Sequence, residues 1–103
     1  MIFKSRKRRI SEECWSLDYE LAKWVNEHLK VYKKEASKIV DLDFYKFHYR
    51  GKEYTQSQII DMLIETTDFL IEDIDYFSVG IELNKAKNKM YDLLKLVHWT
   101  LWW

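Results

Sequence analysis

Thr55-Gln56-Ser57-Gln58-Ile59-Ile60-Asp61-Met62-Leu63-Ile64-Glu65-Thr66-Thr67-Asp68-Phe69-Leu70-Ile71-Glu72-Asp73 decides the fold class, because it both announces a helix and patterns it. Thr55 to Gln58 fits a capping box. The Thr55 hydroxyl accepts from the amide three residues on, while the Gln58 side chain reaches back to the Thr55 amide. Ile59, Ile60, Leu63, Thr67, Leu70 and Ile71 then recur at helical steps, and Ile74 lies just beyond. This is the apolar side of an amphipathic helix running to about residue 73.

Two further helices flank it. Upstream, Ser16 is placed as an N-cap, with Asp18 and Glu20 in the first turn where negative charge complements the helix dipole. Leu17, Leu21, Trp24, Val25, His28, Leu29 and Tyr32 read as one wide core-facing stripe over 16–34, with Glu27, Lys30, Lys33 and Lys34 off it. On that stripe His28 is expected to be a hydrogen-bonded core histidine. Downstream, Val79, Leu83, Ala86, Met90, Leu94, Val97 and Leu101 follow steps of three and four, a near-heptad seam for shallow helix packing. That third helix is expected to begin between 75 and 78 and to run almost to residue 103, with its end projecting past its neighbours.

Between the first two helices, residues 42–49 alternate aromatic side chains, and Arg50-Gly51-Lys52 offers a turn before Glu53-Tyr54. Aromatic alternation around a glycine is a strand signal. The favoured Asn-Gly or Asp-Gly turn is absent, so a short hairpin and an irregular aromatic-anchored loop both remain open. The expected fold is mainly α: a three-helix, bundle-like single domain over 11–103, with or without that β-hairpin, preceded by a basic arm over 1–10. Among 103 residues there is no proline and only Gly51 and Gly80, which favours long helices and few loops.

Composition narrows the function classes. Seventeen Lys and Arg balance seventeen Asp and Glu, which argues against a general nucleic-acid binder. Only the arm, with Lys4, Arg6, Lys7, Arg8 and Arg9, has the charge for such a contact. No apolar run approaches the roughly 18 residues of a membrane-spanning helix, and none of signal-peptide length follows the arm. The single Cys14 forms no internal disulfide. A cytoplasmic protein without membrane contact is expected.

Candidate catalytic groups do not assemble. There is no glycine-rich phosphate loop, no dinucleotide fingerprint, and no His-x-x-x-His or Cys-x-x-Cys pair for a metal. His28, His48 and His98 are scattered. No cofactor and no metal site is expected. Glu65-x-x-Asp68 and Glu72-x-x-Asp75 superficially resemble the acidic pairs of all-α nucleoside triphosphate pyrophosphohydrolases. Both pairs lie on one helix, however, which leaves a metal-dependent hydrolase a remote alternative.

Two surfaces stand out instead. Asp61, Glu65, Asp68, Glu72 and Asp75 line one face of the second helix, suited to docking a basic partner or to neutralisation by the arm or by Lys85, Lys87, Lys89 and Lys95. The end of the chain, His98-Trp99-Thr100-Leu101-Trp102-Trp103, concentrates three Trp, a residue favoured at interfaces. Trp99, Trp102 and Trp103 are therefore candidate anchors for a protein partner or for self-association. The other expectation for the tail is that it folds back to cap the helices. An alternative function, binding or sequestering a nucleotide, would use Arg50, Lys52 and Tyr54.

Trp15-Ser16-Leu17-Asp18-Tyr19-Glu20-Leu21-Ala22, continuing to Leu29-Lys30, resembles a family of small helical proteins of tailed bacteriophages and prophages. Their shared features are a W-x-L-D-x-x-x-A opening of the first helix and a final long helix ending near Leu-Trp, as Leu101-Trp102 does here. The prolines usual in that family after the first helix and in the middle loop are absent. The resemblance implies a phage or prophage origin and a helical fold rather than a chemistry. Taken with the lack of a catalytic constellation, the segregated charge and the aromatic C-terminus, it leads to the expectation of a non-enzymatic accessory protein that binds a host enzyme or a defence component. Trp15 and Asp18 are its nearest thing to a signature, with Asp18 serving the helix start.

Overall fold

The structure, a computed structural model, describes residues 10, 17–72 and 80–101. In chain order its elements are α1 (Leu17–Ala36), β1 (Lys46–Tyr49), β2 (Lys52–Thr55), α2 (Gln56–Glu72) and α3 (Gly80–Val97), followed by a 3-10 turn at His98–Thr100. The basic arm, Ser16 as a cap, the side chain of Asp18 and the start of the third helix lie outside the described residues.

α2 is the central element: α1 and α3 each pack along it far more than on one another. Its start is built as the capping box requires. The Gln58 amide donates to Thr55 Oγ1 at 3.2 Å, and the Thr55 amide donates to Gln58 Oε1 at 2.9 Å. Two further first-turn amides are satisfied by the preceding loop, Gln56 by the Tyr45 carbonyl and Ser57 by the Leu42 carbonyl. The core gathers Ile59, Ile60, Leu63 and Leu70 of α2, Ala22, Val25 and Leu29 of α1, and Met90, Leu93 and Val97 of α3. Leu93, fully buried, takes the place on the α3 seam that periodicity assigns to the half-buried Leu94.

The segment between α1 and α2 is a β-hairpin. Phe47 pairs with Tyr54 and Tyr49 with Lys52 in an antiparallel register. Its two-residue turn places Arg50 at φ 49° and Gly51 at φ 78°, both in the left-handed region that a type I′ turn demands. Arginine thus occupies a position usually held by Asn or Asp. A two-stranded ribbon is marginal alone, and here Phe47, Tyr49 and Tyr54 pack it onto the helical core.

α1 corrects the single-stripe expectation. Its apolar residues fall on two faces. Ala22, Val25, Leu29 and Ala36 point inward with Asn26, whereas Leu17, Leu21, Trp24 and Val31 are exposed. His28 is no core residue. It lies on the exposed face, its ring stacked on Trp24 with centroids 3.9 Å apart, and its Nδ1–H donates to the Trp24 carbonyl at 2.8 Å.

What turns α1 this way is a polar knot in the core. Asn26, 2% exposed, directs its Nδ2 at Asp68 Oδ1 (2.8 Å), Thr67 Oγ1 (3.0 Å) and the Ile64 carbonyl (3.2 Å). Thr67 in turn donates to the Leu63 carbonyl at 2.7 Å. A buried carboxamide without partners would cost about 1–3 kcal/mol, so these bonds hold α1 at one rotation against α2. Asn26→Ala should therefore destabilise the protein by about 2 kcal/mol, and Thr55→Ala by about 1 kcal/mol, in urea unfolding. An Asn26→Ala cost no larger than that of Thr55→Ala would contradict the account of the knot.

Candidate functional site

The acidic face of α2 is divided between its neighbours. Asp61 is paired with Lys33 and Asp68 with Lys30 (3.0 Å), both lysines reaching across from α1. The lysines that pair Asp68 and Asp61 are thus those of α1, which lay off the expected stripe. Asp68 is further bound by Asn26, so it belongs to the knot as much as to the surface. Glu72 is exposed and forms no ion pair with another described residue. Asp75 lies outside the described residues. Glu65 turns to the other flank, toward α3. Among the described residues no three His, Cys, Asp or Glu side chains converge as a metal site.

The Lys30 ammonium beside Asp68 holds its carboxyl below the ordinary value of 3.8, with the Asn26 hydrogen bond acting in the same direction and burial opposing both. A carboxyl depressed in the folded state contributes stability that is present above the ordinary value and lost as pH falls through the folded value. Asp68→Asn should accordingly lower stability at pH 6, and the gap from wild type should close on acidification below about pH 4. A gap independent of pH would show that the Asp68 charge adds nothing to the fold.

On the α3 side, Glu65, Thr66 and Phe69 of α2, Lys85, Ala86 and Lys89 of α3 and Arg50 of the hairpin turn line an open groove of about 440 Å³. Lys85 and Lys89, one helical turn apart, form no ion pair with another described residue. Arg50 lies 5.3 Å over the Tyr49 ring. The grouping of Arg50 with Lys52 and Tyr54 does not hold as a site. Lys52 is exposed on β2, and Tyr54 packs half-buried against the core with its ring 6.3 Å from that of Tyr49. Only Arg50 reaches the groove, and its companions are two lysines from the far end of the sequence.

The C-terminal stretch is folded against the helices as far as Leu101. α3 ends at Val97 and does not project as expected. The buried Gln56 side chain donates from Nε2 to the Thr100 carbonyl at 3.0 Å, the Thr100 hydroxyl donates to the Val97 carbonyl at 2.7 Å, and Leu101 packs on the core. Trp99 points away from this arrangement, 85% exposed and tilted against the exposed His98 at 5.2 Å. Trp102 and Trp103 lie outside the described residues.

The outward face of α1 is the surface that sequence reasoning folded into the core. Leu17, Leu21, Trp24, His28 and Val31 follow each other at steps of four, three, four and three along one line. Trp24, Leu17 and Val31 are 58%, 62% and 60% exposed. Single exposed apolar residues are ordinary, but a continuous row is the mark of an interaction site. The spacing was visible in the sequence. What was missing was the polar residue, Asn26, that decides which row faces inward.

No helix among the described residues is long and apolar enough to cross a membrane. Comparison with protein-family models, with curated proteins and with solved structures found no match to this chain.

Proposed function

We propose that this protein acts by binding another macromolecule and not by catalysis, as a cytoplasmic accessory protein of a bacteriophage or prophage directed at a host enzyme or defence component. The observation that carries this reading is the exposed apolar row on α1, Leu17 through Val31, with Trp99 as a second exposed aromatic. Burying these side chains in a partner removes apolar surface at about 25 cal/mol per Å², and Trp is the commonest kind of interface anchor. The acidic face of α2 contributes less than its sequence pattern implies, because Asp61 and Asp68 already have partners. Glu65 and Glu72 remain as its outward charges, and Trp102 and Trp103 remain candidate anchors beside Trp99.

A photoreactive benzoylphenylalanine at position 24 or 99 tests this in bacterial cells expressing the full chain. Irradiation should give discrete higher-mass adducts from either position and none from position 95, an exposed lysine on α3. Adducts from all three positions alike, or from none, would overturn the reading.

A second reading, binding of an anionic small ligand such as a nucleotide, is favoured by the groove that joins Arg50, Lys85 and Lys89 above Phe69. Three cations against the one carboxylate of Glu65 leave net positive charge for a phosphate, and Phe69 offers a ring for a base. ATP at 100 times its dissociation constant would stabilise the fold by about 2.7 kcal/mol, and Lys85→Ala with Lys89→Ala should remove that gain. No thermal shift with millimolar ATP would sink the reading.

A further inference from the structure

α1 carries two functional rows at once, and the outward one has the geometry of a helix-pairing seam. Leu17, Leu21, Trp24, His28 and Val31 repeat every 3.5 residues on average, the period that keeps one line of side chains against a partner helix. Over those fourteen steps the row extends about 21 Å along the helix. It is exposed with every described element in place, because α2 covers only the opposite face of α1.

We infer that this row pairs with the same row of a second copy of the chain, antiparallel, to give a symmetric dimer. The inference rests on the reading of α1 as a macromolecular binding surface and names its occupant. Charge selects both the occupant and its direction. Lys30 and Lys33 are turned away to Asp68 and Asp61, so the outward flank of the row keeps Glu20, Lys23, Glu27 and Lys34. None of these four is in an ion pair with another described residue. Along the helix these charges alternate, acidic at 20 and 27 and basic at 23 and 34, so the row read against its own reverse sets each charge opposite its counter-charge.

An antiparallel pair centred near position 26 sets Glu20 beside Lys34 of the partner subunit, and the reverse, with Lys23 near Glu27 of the partner subunit. A parallel two-fold pair puts this flank and the partner's on opposite sides of the seam, so these four charges gain no partners there. The antiparallel layers are Leu21 on Val31 of the partner subunit and Trp24 on His28 of the partner subunit. The contact is isologous, as a two-fold dimer requires, and closes on itself. A row of five side chains with its flank falls below the roughly 800 Å² per partner of a standard interface, so the dimer is weak and concentration-dependent.

Sedimentation equilibrium of the full chain across the micromolar range tests this. Wild type should pass from monomer to dimer, and Trp24→Glu should weaken association at least about tenfold with its circular dichroism and melting temperature retained. Glu20→Lys alone and Lys34→Glu alone should each weaken the dimer about fivefold, the effect of two reciprocal exposed pairs. The double reversal should restore it. As surface substitutions, these charge variants keep the test valid if Trp24→Glu fails to fold.

A chain that stays monomeric at every concentration, a dimer unchanged by Trp24→Glu, or a double reversal that does not restore association would each overturn the proposal. If the chain is monomeric while position 24 still crosslinks a different protein in cells, the dimer falls and the binding function stands. Monomers together with no adduct remove both.

Discussion

The hydrogen bonds of Asn26 set the rotation of α1 about its own axis, and the surface of the molecule follows from that rotation. A carboxamide in the core between α1 and α2 has few acceptors within reach. Those it finds, the Ile64 carbonyl, Thr67 Oγ1 and Asp68 Oδ1, lie three and four residues apart on one side of α2, about one turn of the helix. Rolling α1 far enough to bury Trp24 would bring Asn26 off this turn and leave Thr67 and Asp68 without it. The hydrophobic effect alone does not choose between the two rows of α1, since it is non-directional. Directional bonds in a low-dielectric interior do choose, and here they favour the row of smaller side chains, Ala22, Val25, Leu29 and Ala36. The larger aromatic row is left in water. The exposed row is then a consequence of core chemistry and not of a separately built surface.

The other end of the molecule is organised around the start of α2. Gln56 is buried there, its amide bonded to the Tyr45 carbonyl and its side chain to the Thr100 carbonyl. One residue thereby ties the hairpin loop, the first turn of the central helix and the chain beyond α3. The capping box beside it, Thr55 with Gln58, holds the first turn against fraying. Because Arg50 sits in the hairpin turn, the same anchoring that packs Phe47 and Tyr54 onto the core also carries a guanidinium to the mouth of the groove between α2 and α3.

The sequence made some of this legible and hid the rest for identifiable reasons. The capping box was readable because its two bonds are local, three residues apart. The hairpin was ambiguous because Arg50-Gly51 is an uncommon type I′ turn, and only its aromatic alternation pointed to strands. The two rows of α1 merged into one stripe because Leu21, Trp24 and His28 interleave with Ala22, Val25 and Leu29, so an apolar tally sums both. Asn26 and Gln56, polar residues that specify the packing, carry no apolar signal at all, and Thr67 was legible only as a member of the apolar side of α2 and not as a hydrogen-bond partner. Asp61 and Asp68 of the acidic row of α2 meet Lys33 and Lys30, which lie 28 and 38 residues away in the chain and belong to no motif. The groove was likewise beyond local reading, as Arg50 meets Lys85 and Lys89 only through the fold.

The rotation of α1 is the claim from which the exposed row, the paired acidic face and the proposed interface all descend. The most direct measurement is a nuclear Overhauser map of the Trp24 indole and of the Asn26 side-chain amide, collected on dilute protein. The account predicts contacts from the indole to His28 and none to the Ile60 or Leu63 methyls of its own chain, with the Asn26 amide close to the Thr67 methyl. Indole contacts to Ile60 or Leu63, with an Asn26 amide in rapid exchange with water, would show the opposite rotation and contradict the account.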